Sequence, residues 1–530
     1  MKFIYAMGLR SLAVVLALVL TACAPVRQMP DWAADAFPKE TMRETFAAGY
    51  GSIVDKYIER LSVGAVAFEG LRGLSAVDPS LSVARSDATL VLLVSNDEVA
   101  RFAVPKDDDV EGWVSLTTEV SVAGRSASPG FKAADIEKIY EAVFDGALSR
   151  LDVFSRYSGA EEAKRNRARR GGFGGIGIGI GFRDKDGAVL VTSVMKDTPG
   201  EKVGLKANDK VTHIDGFPAA VMSRDEIVNR LRGLVKSRVV LTIRRSGTAL
   251  PLRFEVVRAH IVPNTVVARR ANGVLQLQIT SFNQNTARSV ADALRTAHQR
   301  PGDPLGGIIL DMRSNPGGLL KQAVRLADLF LSEGIISSTR GRHSGSIHSY
   351  EAGGSDSSQG VPIVVLIDGK SASAAEIVAS ALQDRGRAVV IGTTSYGKGT
   401  VQTVIRLPND GELTLTWSRF IAPSGYAIHG LGVSPAICTS GVAASEGEEL
   451  LKTALSGRIG IVGKLATWRS VGLQDKERRR DLRTICPGQR RIGDTELAVA
   501  RHLFDDMPLY SQALDLSSST TTASTEHPSP

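Results

Sequence analysis

Three short apolar runs, Val361 to Ile367, Gly307 to Asp311 and Ala388 to Gly392, carry no polar alternation and are rich in β-branched residues. That pattern predicts strands buried on both faces of a parallel sheet. After the first run, Asp368-Gly369 breaks the chain, and Ala374, Ile377, Val378 and Ala381 then recur at helical spacing. GVLQLQITSFNQNTARSVADALRTA reads as a strand, a turn and a helix capped near Asn285 or Thr286. This strand–helix alternation through 271 to 437 predicts a mixed α/β core with parallel pairs. Nearer the N-terminus, Thr41 to Leu71 and Ala133 to Leu151 show helical periodicity, while ATLVLLVSN and WVSLTTEVSV (Trp113 to Val122) read as strands. A helix is expected at Arg224 to Leu231, before VVLTIRR. Residues 441 to 515 read as a helical extension, and the Ser/Thr/Pro-rich segment 516 to 530 as a disordered tail.

At the N-terminus, Lys2 and Arg10 precede the apolar core SLAVVLALVL, which is short for a membrane span and is expected to be a signal peptide over residues 1 to 22. Leu20-Thr21-Ala22-Cys23 resembles a bacterial lipobox, which implies lipidation of Cys23 and a tether to a membrane; an ordinary secretory cleavage is the alternative. The expected location is the periplasm-facing cell envelope. Ala24 lacks the aspartate associated with inner-membrane retention, which tilts the expectation to the outer membrane.

The chain of 530 residues, 43% hydrophobic and 23% charged, is long enough for about three or four domains. Cys438 and Cys486 remain once Cys23 is set aside, and a bridge between them is favoured over two buried thiols. The net charge of +8 is concentrated in Lys164 to Arg170 and Arg478 to Arg483. In an exported protein these runs read as solvated faces or linkers, with anionic lipid headgroups as the weaker alternative and no nucleic-acid partner.

Ser371 or Ser373, at the mouth of the helix after Ile367, would meet free N–H groups and a positive dipole end able to stabilise an oxyanion. A serine needs a base, and Lys398, held between Gly397 and Gly399, is the candidate: a desolvated lysine loses affinity for its proton. Gln402 is placed to hold the lysine amine. His429 offers a serine–histidine dyad as the rival arrangement, and Glu376 and Asp384 are expected to pair with Arg385 or Arg387.

SASAAEIVASALQD followed by TSYGKGTVQ resembles the signature of the C-terminal processing peptidases, or tail-specific proteases. The likeness covers roughly residues 150 to 437. It implies a crotonase-like α/β peptidase core, with Ser373 as nucleophile, Lys398 as base and Gln402 as the residue that orients it. NPGG at Asn315 to Gly318 resembles the family element supplying an oxyanion-hole amide, which implies Gly317 or Gly318 paired with the amide of Ala374. Leu151, Asp152, Ser155 and Tyr157 match a further family stretch that reads equally well as packing. FGGIGIGIGF, then GLKANDKVTHIDG, resembles the permuted PDZ domain of this family. The implied carboxylate loop is Gly175, Ile176, Gly177 and Ile178; a nucleotide loop would need a helix directly after the glycines.

The expected architecture is a multidomain α/β chain: a mixed, partly helical N-terminal region (23–165), an inserted PDZ domain (166–260), a serine peptidase core (261–440) and the C-terminal extension (441–515). The expected function is an envelope endopeptidase that recognises protein C-termini and cuts by a Ser/Lys acyl-enzyme route without metal or organic cofactor. The alternative is a catalytically silent, lipid-anchored PDZ scaffold. A need for an adaptor or an oligomer stays open.

Overall fold

In the computed structural model the described residues are 37–183, 187–442, 462–491 and 493–518. The leader, Cys23 and the tail beyond Ser518 lie outside them. No helix of the described residues is long and apolar enough to cross a membrane.

The N-terminal region packs helices Lys39–Lys56, Val63–Gly73, Val110–Ala127 and Ile136–Leu148 beside a three-stranded antiparallel sheet. Phe46, Tyr50, Trp113 and Phe144 are all buried there. The periodic stretch Thr41 to Leu71 therefore divides into two helices. Trp113 to Val122, expected as a strand, is helical. Trp113, Val114, Thr117, Val120, Ser121 and Gly124 fall on one buried face, and the Asp109 carboxylate caps the helix by accepting from Gly112 N. The Thr117, Thr118 and Ser121 hydroxyls each donate to a carbonyl one turn back, so β-forming residues are accommodated inside the helix.

Helix Ala160–Gly171 leads into an antiparallel sheet in the order Leu252–Val257, Arg238–Arg244, Lys210–Ile214, Val189–Val194, Ile178–Arg183. Helix Arg224–Leu231 begins with a Ser223/Glu226 capping box and buries Ile227 and Leu231 against the sheet. Ile178–Arg183 is the edge strand. At the base of this unit Phe173–Gly175 pairs with Ala259–Ile261, so the chain leaves and returns through one two-stranded neck.

The larger core is a six-stranded sheet in the order Val266–Ala271, Val274–Ile279, Gly307–Asp311, Ile363–Ile367, Val389–Gly392, Ile437–Cys438. Its first pair is antiparallel and the others parallel. Helices Thr286–His298, Leu320–Asp328 and Ala374–Asp384 cover one face. The other face receives Leu497, Ala500, Leu503 and Tyr510 from helices Thr495–Asp505 and Met507–Ser518. The C-terminal extension thus supplies the second layer that a parallel sheet requires.

A second sheet holds His348–Glu351, Ile335–Gly341, Glu412–Ile421 and Thr400–Arg406, with Arg156–Ser158 paired to Glu412 through Thr414. Leu407, Leu413 and Leu415 of its hairpin belong to the N-terminal hydrophobic cluster. The basic runs expected as solvated faces are in part structural. Arg167 and Arg170 bind Glu412, Arg479 donates to the carbonyls of Ala427 and His429, and Arg483 donates to that of Leu431.

Candidate active site

The strand Ile363–Ile367 delivers the chain to a tight turn at Asp368–Ala372, and the helix Ala374–Asp384 begins immediately after Ser373. The two serines of that turn are separated by their partners. Ser371 is fully buried; its Oγ donates to the Met312 carbonyl at 2.8 Å and accepts from Asp368 N at 2.9 Å. It is a structural bracket. Ser373 has φ 56° and ψ −112°, a conformation that serine rarely adopts and that stores strain at a strand-to-helix corner.

Glu376, one turn into the helix, is what joins this corner to the lysine loop. Its Oε2 accepts from Ser373 N at 2.7 Å and from Lys398 N at 2.9 Å. Its Oε1 accepts from Gly397 N at 2.6 Å and Ser395 Oγ at 2.5 Å. Burial pushes the Glu376 carboxyl up, and these four hydrogen bonds oppose the rise. The expected pairing of Glu376 and Asp384 with Arg385 or Arg387 is therefore not what the fold contains. Asp384 meets Arg469 at 2.9 Å and Ser424 Oγ at 2.6 Å, while Arg387 bonds Asp356 and Arg385 the Ile335 carbonyl.

Gly397 and Gly399 let the lysine loop approach other backbone. Gly397 has φ +90°, and a Cβ on Gly399 would stand 2.0 Å from His429 N. Lys398 is half-buried, with Nζ 4.7 Å from the centroid of the Phe154 ring. Desolvation, with the Arg156 charge second, lowers its pKa from the usual lysine value; Asp152 and Glu376 act in the opposite direction. Gln402 does not reach the lysine among the described residues. Its amide nitrogen donates to Thr400 Oγ1 at 2.9 Å and Thr416 Oγ1 at 3.2 Å, and Thr416 in turn donates to Asp152. The link to Lys398 is thus indirect.

The turn Asn315–Gly318 packs against the serine corner: Ala372 N donates to the Asn315 carbonyl, and a Cβ on Gly317 would lie 2.9 Å from Ser373 Cβ. The Gly317 amide is already committed to Asn315 Oδ1 at 2.8 Å. No acceptor is present for the Gly318 amide among the described residues, and the amide of Ala374, first in its helix, is free in the same sense. Of the two glycines, Gly318 is the one with a donor to offer. His429 meets the same Phe154 ring edge-on, the two rings 6.4 Å apart; its Nδ1 is buried without a partner among the described residues and burial lowers its pKa.

At the neck, Gly175 ends its strand, Ile176 and Gly177 make the connection, and Ile178 opens the edge strand of the antiparallel sheet. Gly177 has φ +78°, and a Cβ there would strike Thr198 at 2.3 Å. Beside that strand runs a cleft of about 620 Å³ lined by Ile180, Gly181, Val189, Met222 and Ile227. Cys438 and Cys486 are joined in a disulfide.

Sequence reading missed Phe154 and the bridging role of Glu376. Phe154 lies between the matched Asp152 and Ser155, so that neighbourhood was the available signal. For Glu376 it was a carboxylate at N3 directly after the serine corner.

The peptidase family S41 pattern matches residues 273–439, and a PDZ domain pattern matches residues 190–245. A carboxy-terminal-processing protease of Bartonella bacilliformis is 40% identical over 305 residues, covering 57% of this chain and 70% of that protein. A probable CtpA-like serine protease of Staphylococcus haemolyticus is 32% identical over 309 residues, covering 58% of this chain and 61% of the relative, less than two thirds of its length. Among solved structures, a photosystem II D1 C-terminal processing protease is 22% identical with a TM-score of 0.38, covering 76% of this chain and 92% of that one.

Proposed function

The chain belongs to peptidase family S41 as a serine-type peptidase of the carboxy-terminal-processing kind, and we propose that Ser373 and Lys398 are its nucleophile and base. The observation that carries this reading is the single Glu376 oxygen accepting from both Ser373 N and Lys398 N, with the lysine amine half-buried over Phe154. One carboxylate fixes both reacting loops, and desolvation favours the neutral amine that a base must be.

In this mechanism neutral Lys398 Nζ takes the proton of Ser373 Oγ as that oxygen bonds to the scissile carbonyl carbon. The oxyanion accepts from the amides of Ala374 and Gly318; one such donor is typically worth about 2.7 to 4 kcal/mol in the transition state. Lys398 then protonates the departing amine. Water, deprotonated by the same lysine, cleaves the acyl ester and restores the serine. Gln402, through Thr416, holds Asp152, a charge that faces the lysine.

Residues 166–260 act in this reading as the substrate-binding unit and 261–440 as the peptidase. The substrate's C-terminal carboxylate sits at Gly175 to Ile178, its backbone adds to the free edge of Ile178–Arg183, and an apolar side chain enters the cleft at Met222 and Ile227. In this reading the enzyme works in the cell envelope as a lipoprotein tethered through Cys23, with the outer membrane favoured; the lipobox-like Leu20-Thr21-Ala22-Cys23 supports it.

The test is cleavage of an unfolded model protein with a free or an amidated C-terminus by the full chain in mild detergent, beside Ser373→Ala and Lys398→Ala. Loss of cleavage in both variants, and weaker cleavage of the amide, is the expected result. Cleavage that survives Lys398→Ala would remove the lysine from the reaction.

A further inference from the structure

A second cleft, of about 560 Å³, opens beside the proposed site. Gln402 forms part of its wall, as does Leu319, the residue after Gly318. The reaction above makes no use of three of its properties. First, Lys321 and Arg325 stand exposed on successive turns of one helix in its lining, and neither has an ion-pair partner among the described residues. Second, the lining contains no carboxylate, so nothing in the cavity neutralises them. Third, two donors in its wall are unsatisfied. Ser418 is 1% exposed with no partner for Oγ, and the Trp417 indole N–H is buried and likewise unpaired.

Orphan donors are uncommon in folded proteins, because a buried polar group without a partner is costly. Here two of them belong to lining residues of a cationic cavity, although neither atom is itself accessible from it. The rest of the lining includes the apolar Leu319, Leu320, Val401 and Val404, together with the exposed imidazole of His348. A short methylene stem ending in a carboxylate would suit the apolar wall and the unpaired cations in the lining. We propose that this cleft is a subsite for one acidic side chain, Asp or Glu, of the peptide next to the bond that is cut. The proposal rests on the peptidase reading, and it gives that reading a side-chain preference separate from recognition of the C-terminus.

The experiment uses the full chain in detergent with peptides that share one free C-terminus, in which Glu and Gln are exchanged in turn at each position flanking the cut. At one position Glu should raise kcat/KM over Gln by about tenfold, a ratio that shrinks with added salt. In Lys321→Gln/Arg325→Gln the ratio should fall to about one, while Lys321→Arg/Arg325→Lys keeps it and so controls for folding. A ratio near one at every position in the parent, or a preference that persists in the Gln variant, overturns the subsite. Binding of the same Glu and Gln peptides to Ser373→Ala separates this question from turnover. Tighter binding of the Glu peptide that is lost with the two cations supports the subsite even where no cleavage is seen; equal binding overturns it.

Discussion

With Lys398 as the proposed base, the charges around it set the pH at which it would work. Protonated, it cannot accept the serine proton, so activity should rise with pH through its pKa. That pKa is depressed by desolvation and by Arg156, and raised by Asp152 and Glu376. Arg156 is exposed, so Arg156→Gln removes the repulsion with little cost to packing. The lysine pKa should then rise and the ascending limb of kcat/KM against pH should move toward alkaline values, with less activity at neutral pH. An unmoved limb would sever Arg156 from the base. The linkage has a matching sign. The unfolded chain binds this proton more tightly than the fold does, so stability should increase with pH between the depressed and the ordinary lysine values. Glu376 is a separate case: four donors converge on it, and Glu376→Gln turns an NH2 group toward some of them. We expect kcat to fall by at least about tenfold with a smaller change in KM, since the serine and lysine loops lose their common anchor while the cleft remains; removing one partner of such buried bonds typically costs about 1–3 kcal/mol. The helix start at Ser373 and the glycine-flanked loop of Lys398 were legible in the sequence because local motifs encode them. Phe154 over the lysine was not, since that contact joins positions far apart in the chain.

At the scale of elements, the buried strands were read correctly because an apolar β-branched run between turns admits few other environments. Trp113 to Val122 misled the same reasoning. Its valines and threonines favour strands intrinsically, but burial of one helical face against Phe46 and its neighbours decided the outcome. The segment after Lys476 carried no legible role, because what it does lies in its backbone contacts. Gln489 O accepts from Gly369 N and from Thr393 Oγ1, and Arg491 N donates to Asp368. Arg479 and Arg483 hold the carbonyls of Ala427, His429 and Leu431. These bonds brace both the turn before Ser373 and the loop around Lys398, and the Cys438–Cys486 bridge closes them over a separation of 48 residues. In the chain-entropy description such a bridge stabilises by about 4 kcal/mol. Replacing both cysteines with serine should lower the melting temperature and, because the brace loosens, reduce kcat as well. A variant that melts earlier yet turns over normally at low temperature would show that the segment stabilises the fold without positioning the site.

Across the whole molecule, the helix Ala160–Gly171 links the PDZ unit to the second sheet and, through the Arg170 carbonyl, to Gln284. It follows the strand Arg156–Ser158, enters the peptide-binding unit through the neck at Phe173, and sends Arg167 and Arg170 to Glu412. Glu412 is almost wholly buried, its side chain 4% exposed, on the strand that also carries Thr416 and Trp417. Losing Glu412 should cost less than the about 3–5 kcal/mol typical of a wholly buried pair, because the arginines left behind are a third exposed and can be solvated. Glu412→Gln keeps the volume and some hydrogen bonding, so it should fold while weakening the tie between the helix and the hairpin of Gln402. If occupancy of the binding unit is felt at the site through this tie, the variant should cut free-acid and amidated substrates at more similar rates, its ratio of kcat/KM falling toward one. Measurement of peptide affinity in parallel decides the cause. An unchanged affinity with a reduced ratio places the effect in the connection, whereas a ratio equal to that of the parent means that the two units bind and cut independently and that the arginine–glutamate contact serves stability alone.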